Sequence, residues 1–218
     1  MANFPTDFSM ELLPLTEAGL SPRGQAALGG LAAGGLEVVS GIREADTLGI
    51  LAIAVKEDVR EFCPNDAKRF GNPERWLAKG RGAFLLRTIE TEQIVGYSWV
   101  GTEPCEELPD HPTTTAFRTT VKGTGTNLVI ATLEGARAVH GAEDFGLETW
   151  ATNGRAVKTY VKAGAHLEYA KSEEPNKETG KLEPIMRPTL RPRAHDPIID
   201  GKRRRYDTRL FMSFPKAA

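Results

Sequence analysis

The sequence carries little excess charge of either sign. Its 28 lysines and arginines nearly balance 29 aspartates and glutamates, which leaves a formal net charge of −1 at pH 7. A chain without an overall basic field has no general electrostatic reason to bind nucleic acid or an anionic membrane. Nucleic acid is therefore not an expected partner, and recognition through charge must come from a local cluster.

Cysteines and long apolar runs are also scarce. The two cysteines, Cys63 and Cys105, have neither metal-site spacing nor the density of a disulfide scaffold, so we expect free thiols in a reducing compartment. No window holds the roughly 20 apolar residues that a membrane span needs, and the first residues do not resemble a signal peptide. These features predict a cytoplasmic protein without a membrane partner.

Metal-ligand spacings and the common nucleotide motifs are missing. The four histidines share no spacing, so we predict no metal and expect each ring on the surface or in a loop. They are His111, His140, His166 and His195. No Gly-Lys-Ser/Thr follows the glycines at 123–125, which excludes a Walker P-loop, and Leu128 stands where a dinucleotide fingerprint needs its third glycine.

The length of 218 residues suits one globular domain, and a hydrophobic content of 40% is enough for a sizeable core. Residues 1–34 show little periodicity and no catalytic pattern, and they predict either a loosely attached arm or a short helix that ends at glycine pairs. We expect residues 35–218 to form the main domain, with a polar insertion at about 173–206.

The first part of the main domain predicts a strand, helices and a meander. GLEVVSGI reads as a strand, and the next helix should begin at Asp46 or Thr47 and run to Pro64 with Leu48 and Val55 on its inward face. A second helix is expected from Asn72-Pro73. The segments GAFLLRTI, QIVGYSWVG and TTTAFRTTV then predict three antiparallel strands.

The second part predicts an alternation of helices and strands. A helix with Val129, Leu133, Ala136 and Val139 on its buried face leads to the strand FGLETWATN, and the helix GRAVKTYVKAG leads to the strand HLEYAKS. The last strand should be reached through a hairpin that turns at Asp200-Gly201.

The stretch FRTTVKGTGTNLVIATLEGARAV, residues 117–139, passes from a strand through Gly-Thr-Gly into an apolar helix. Two glycines at such a junction let the backbone approach a ligand and direct helix N-terminal amides at it. Phosphate is the ligand that this arrangement suits best. A tight turn that binds nothing explains the same pattern, so neighbouring sequence must decide between the two.

A second pattern lies in NGRAVKTYVKAGA, where Asn153, Ala156, Tyr160 and Gly164 follow one another at spacings of three, four and four. With the glycine turn, this resembles the GNAT family of acetyl-CoA-dependent N-acetyltransferases, which combine a Q/RxxGxG/A turn with a later Asn, Ala, Tyr and Gly-Phe series. The resemblance covers residues 113–170. Thr120 stands at the Q/R position and Ala165 at that of the Phe.

The resemblance implies an α/β (α+β) fold, with a mixed, mainly antiparallel sheet of about six to seven strands flanked by helices. It implies acetyl-CoA as co-substrate, bound where two strands splay apart, with the turn amides on its pyrophosphate and the segment AFRTTV along its pantetheine. The residues implied in coenzyme binding are Thr119, Val121, Lys122, Gly123, Thr124, Gly125, Thr126, Asn153, Ala156 and Tyr160.

Two catalytic roles follow as expectations. Tyr160 would act as general acid toward the departing thiolate, with a core tyrosine as the alternative reading. Glu148 is the candidate for the base, although a strand residue that simply faces outward explains it as well.

The expected activity is direct transfer of an acetyl group to a primary amine. The acceptor stays open among small amines, protein amines and aminoacyl-tRNA, and the near-neutral charge argues against the last. A non-catalytic acyl-CoA-binding or interaction module of the same fold is the alternative. Homodimer formation and the use of a longer acyl-CoA also stay open.

Overall fold

The computed structural model describes residues 12–56, 81–105, 108–141, 144–175, 178–187, 198–199, 202–203 and 208–214. The α-helices of this part are α1 (Pro22–Ala32), α2 (Thr47–Ala54), α3 (Gly125–His140) and α4 (Gly154–Lys162). Its strands are β1 (Leu13–Pro14), β2 (Leu36–Ser40), β3 (Arg81–Thr88), β4 (Ile94–Cys105), β5 (Leu108–Thr119), β6 (Phe145–Trp150), β7 (His166–Pro175), β8 (Leu182–Arg187), β9 (Ile198–Ile199), β10 (Lys202–Arg203) and β11 (Thr208–Phe214).

Most of these strands form one mixed, mainly antiparallel sheet in the order β1-β2-β3-β4-β5-β6-β11-β7-β8, which confirms the predicted fold class. The sheet has nine strands where about six to seven were expected, because β1 and β8 were not predicted. Strand β8 lies within the 173–206 segment, which composition alone marked as a polar insertion. Strands β9 and β10 pair antiparallel around the predicted 200–201 turn, which lies outside the described residues.

The two halves of the sheet meet where β5 and β6 run parallel. Thr113 with Gly146 is the register pair between these strands in the described part of the chain. Beyond it, β5 stays paired with β4 on one side, as in the pairs of Phe117 with Ser98 and Thr119 with Gly96. The other edge of β5 therefore opens away from β6 toward the carboxyl ends of both strands.

Two hydrophobic cores cover the faces of the sheet. The larger core joins residues of α1, α3 and α4 to the strands, and the smaller one joins α2 to β2, β3 and β4. On α3, Val129, Leu133 and Ala136 are buried as predicted, but Val139 is 46% exposed. The buried position one turn after Ala136 is His140, because the inward stripe of a helix advances by three or four residues.

His140 corrects the expectation that every histidine lies on the surface or in a loop. It is 5% exposed, its Nε2 lies 3.4 Å from Ser40 Oγ, and the Phe84 ring packs against it edge to face. His166, at the start of β7, is exposed as expected. His195 and Cys63 lie outside the described residues.

Helix α2 differs from its prediction in its inward face. Ile50, Ile53 and Ala54 are buried, whereas Leu48 is 78% exposed and Val55 is 53% exposed. The helix reads TLGILAIA, which is apolar on all sides, so periodicity could not select a face.

Ahead of α2, a side-chain hydrogen bond from Arg43 to Asp46 raises the pKa of Arg43 above its ordinary value.

The predicted continuation of α2 to Pro64 and the helix from Asn72-Pro73 lie outside the described residues. None of the helices that the structure does describe is long and apolar enough to span a bilayer.

Within the N-terminal segment, the described residues include a short helix, α1. Ser21 Oγ accepts a hydrogen bond from Gly24 N at 3.2 Å, and Pro22 occupies the first position of α1. Leu31 of this helix is 1% exposed and belongs to the larger core. From α3, the Glu134 carboxylate accepts from Ser21 N at 3.4 Å, so α1 is fixed at its N-terminus by a helix more than a hundred residues away.

Glycine allows the close crossing of α1 and α3. A Cβ built on Gly24 would lie 2.9 Å from Glu134 Cγ, closer than such atoms approach in proteins, and 3.1 Å from Leu20 Cβ, which is tighter than most such contacts. Sequence composition made this glycine look like a sign of looseness, although it permits tight packing.

We predict that Gly24→Ala destabilises the protein, by about 1–3 kcal/mol through overpacking against Glu134. Gly29→Ala is the matched control, because a Cβ there meets nothing within 4 Å and alanine favours the helix by about 1 kcal/mol. Urea unfolding of both variants measures the difference. If Gly24→Ala is as stable as Gly29→Ala, the crossing is looser than described.

Candidate active site

A cleft lies at the carboxyl end of β5, between the turn that follows this strand and helix α4. It encloses about 450 Å³, within the range of pockets that bind small molecules. Its walls come from the end of β5 and the turn after it, the first residues of α3, one face of α4 and the end of α2. The lining residues are Ile53, Lys56, Thr119, Thr120, Val121, Lys122, Gly123, Gly125, Thr126, Arg155, Lys158, Thr159 and Lys162.

The turn between β5 and α3 is held by two threonine hydroxyls. Thr119 Oγ1 lies 2.9 Å from Thr124 Oγ1 and accepts from Val121 N at 3.1 Å. Thr124 Oγ1 in turn donates to Val121 O at 2.8 Å. Gly123 has φ of +89°, the left-handed region that favours glycine, so the turn requires glycine at this position. Thr119 and Thr124, both predicted to bind coenzyme, thus build the turn that presents the other residues.

The turn places the N-terminus of α3 at the cleft. Gly125 is the first residue of this 16-residue helix, and both Gly125 and Thr126 line the cavity. The first amides of a helix lack intrahelical partners and lie at the positive end of its dipole. A Cβ on Gly125 would lie 3.4 Å from Thr159 Cγ2, so the middle of α4 flanks the same turn.

Basic side chains dominate the charge of the cleft. The cations that line it are Lys56, Lys122, Arg155, Lys158 and Lys162, and no aspartate or glutamate is among the lining residues that the structure describes. Sequence reasoning identified only Lys122. The spacing of Arg155, Lys158 and Lys162 places them on one helix face and could have revealed them, whereas Lys56 follows the end of the distant helix α2.

The Asn153 pattern proves to organise α4. Asn153 is its N-cap, and Oδ1 accepts from Ala156 N at 3.2 Å. Tyr160 is 6% exposed, and its ring centre lies 5.9 Å from that of Phe117 on β5. Asn153, Ala156 and Tyr160 are not among the residues that line the described cavity. Tyr160 does contact β5, the strand whose last residue lines it.

Glu148 lies apart from the described cleft. On β6 its carboxylate accepts from Arg209 Nη1 at 2.9 and 2.8 Å, and the Arg209 guanidinium stacks 4.4 Å above the Trp150 ring. Both residues of the ion pair are more than two-fifths exposed, at 44% and 43%. This geometry fits the alternative reading of Glu148, in which it is a strand residue whose side chain simply faces outward. Nowhere in the described chain do three or more His, Cys, Asp or Glu side chains group so that they could hold a metal ion.

The fold has many counterparts among solved structures. Spermidine N-acetyltransferase from Vibrio cholerae, in complex with CoA and spermine, superposes with a TM-score of 0.56 at 12% identity, over 84% of this chain and 96% of that one. Ribosomal-protein-S5-alanine acetyltransferase from Vibrio fischeri gives 0.56 at 12% identity, over 84% and 93%. A GNAT-family acetyltransferase from Streptococcus pneumoniae gives 0.52 at 16% identity, over 81% and 98%.

No protein-family model and no curated protein sequence matches the chain. The likeness therefore lies in the three-dimensional arrangement and not in the sequence. On this evidence the chain has the fold of the GNAT N-acetyltransferases.

Proposed function

We propose that this protein is an acetyl-CoA-dependent N-acetyltransferase that transfers an acetyl group directly to a primary amine. The observation that carries the proposal is the cation-lined cleft at the end of β5, which the first residues of α3 also line. Such a cleft suits a phosphorylated ligand, and its position beside an open strand edge suits one with an extended amide arm.

The parts of coenzyme A fit the described residues one by one. The amides from Gly123 to Thr126, with Lys122 beside them, would hold the pyrophosphate. The free edge of β5 near Thr119 would pair with the amide groups of pantetheine as an added strand does. Threonine at position 120 in place of the usual Q/R leaves the phosphate contacts to backbone amides and lysine.

Acetyl-CoA, when bound, would supply an activated acetyl group to the amine nitrogen, and CoA would leave as the free thiol. We propose that Tyr160 Oη delivers the proton that the departing sulfur needs. The Asn153 cap fixes the start of α4, and Arg23 of α1 donates to Lys162 O at 3.2 Å near its end. These contacts hold the helix, and with it the tyrosine, against β5.

We propose Glu148 as the base that takes up a proton from the acceptor amine. Its carboxylate accepts hydrogen bonds from Arg209, so Arg209 belongs to the same hypothesis. The acceptor is proposed to be a small-molecule or protein amine. The Vibrio cholerae neighbour was crystallised with spermine, which makes polyamines the first members of a test panel.

Release of free thiol from acetyl-CoA, measured against a panel of polyamines, amino acids, aminoglycosides and peptides, tests the activity. An amine that raises thiol release above the rate without acceptor supports the proposal. Coenzyme binding without thiol release for any member would instead favour a non-catalytic acyl-CoA-binding module.

Gly125→Val should abolish detectable coenzyme binding, since it adds a branched side chain beside the amides that meet the phosphates. The fold should survive, because the new Cβ makes an ordinary 3.4 Å contact with Thr159. Calorimetric titration with acetyl-CoA measures the loss. Gly154→Val is the matched control at the first residue of α4, where a Cβ meets nothing within 4 Å and the residue does not line the cleft. A folded Gly125→Val protein with wild-type affinity would show that the turn binds nothing.

Tyr160→Phe should lower kcat by about 10²- to 10⁴-fold, the usual contribution of general acid catalysis, with little change in the KM for acetyl-CoA. The ring remains beside Phe117, so packing should be preserved. Steady-state kinetics and pH–rate profiles on the amine found by the panel measure the effect.

Tyr97→Phe controls for the loss of a buried hydroxyl, since Tyr97 is stacked on Trp99 in the other core. It should change stability without changing kcat. If Tyr160→Phe behaves like Tyr97→Phe, Tyr160 is a core residue and proton delivery belongs to another group.

A further inference from the structure

We propose that the basic face of α4 is a separate phosphate subsite that recognises the 3′-phosphate of coenzyme A. This face consists of Arg155, Lys158 and Lys162, and Lys56, just after the end of α2, lines the same cavity. The inference rests on the proposed function, because it names which part of that coenzyme these residues read.

The cleft holds more positive charge than a pyrophosphate needs. A pyrophosphate diester carries two negative charges, and the α3 amides with Lys122 form a sufficient site for it at the turn. Four further cations then remain along the cavity, namely Lys56, Arg155, Lys158 and Lys162. Their charge matches a second anionic group on the same ligand.

Arg155 and Lys158 do not stabilise α4, whereas Lys162 lies in its last turn, where a cation is favourable. Arg155 lies in the first turn of a nine-residue helix that has no acidic residue there, so it faces the positive end of the dipole. Lys158 and Lys162 follow at helical spacing, where like charges repel. Within the described part of the chain, Arg155, Lys158 and Lys162 form no ion pair. An anionic ligand would relieve this repulsion.

The two subsites are adjacent. Thr159 lies beside Gly125, since a Cβ added at Gly125 would come within 3.4 Å of Thr159 Cγ2, and Arg155, Lys158 and Lys162 of the same helix line the cavity. In coenzyme A the pyrophosphate and the 3′-phosphate are attached to the same ribose. A molecule bound with its pyrophosphate at the turn therefore carries its 3′-phosphate nearby. A phosphomonoester offers nearly two charges and three acceptor oxygens, which an arginine can bind in bidentate fashion.

The test compares the affinity of the protein for CoA and for dephospho-CoA, which lacks only the 3′-phosphate, by titration calorimetry. The wild type should bind CoA about 10- to 100-fold more tightly, as expected for charge-assisted hydrogen bonds. The double variant Arg155→Gln/Lys158→Gln should bind CoA as weakly as dephospho-CoA, with dephospho-CoA affinity little changed. The advantage of CoA should also shrink as salt is raised, because these cations are solvent-exposed.

Lys181→Gln is the control, since Lys181 is exposed and does not line the cleft, and it should keep the full preference for CoA. Adenosine 3′,5′-bisphosphate provides a second probe, which the double variant should bind less well than wild type. Equal wild-type affinities for CoA and dephospho-CoA would overturn the subsite while leaving the proposed function standing. If the wild type binds neither CoA nor dephospho-CoA, both the subsite and the proposed function are overturned.

Discussion

The candidate site depends on one feature of the sheet, which is that β5 and β6 are joined at Thr113 and Gly146 and part beyond this pair. Full pairing along β5 would close its free edge and leave the glycine turn facing another strand. Because the strands part, backbone groups near Thr119 and the first turn of α3 face one space. The other strands and the hydrophobic core beneath α3 hold the two halves of the sheet in place. The fold as a whole therefore fixes where β5 and β6 part.

Local chemistry was predictable from the sequence, and long-range assembly was not. The strand, glycine turn and helix at 117–139 and the helix that follows Asn153 each depend on residues within a few positions of one another, which is where sequence patterns carry information. The same patterns could not show that Lys56 shares a cavity with α4, since the two are brought together only by folding. They also failed for α2, whose uniformly apolar sequence presents no periodic face.

Side-chain roles at the site divide in the same way. The spacing that pointed to Tyr160 placed it on the inner side of α4, and the structure brings it to Phe117. Glu148 was chosen as a carboxylate on a suitable strand, but its partner Arg209 lies on β11, sixty-one residues later. The local pattern therefore predicted which way a side chain faces, but it did not predict the charged partner of that side chain. Such partners come from strands that are distant in sequence.

Glycines serve different physical purposes across this structure. Gly24 permits close contact between helices, Gly123 adopts a left-handed backbone conformation, and Gly125 keeps side-chain atoms away from the first amides of α3. Composition records all three as the same residue type. Only the environment of each position separates packing, conformation and access.

The contacts of α1 also bear on the order in which the chain folds. Ser21 meets Glu134 and Arg23 meets Lys162, at sequence separations of 113 and 139 residues. During synthesis α1 therefore emerges long before the helices on which it packs, and so short a helix is marginally stable by itself in water. Its docking must follow the appearance of α3 and α4, which makes the closing of this layer a late and non-local step of folding.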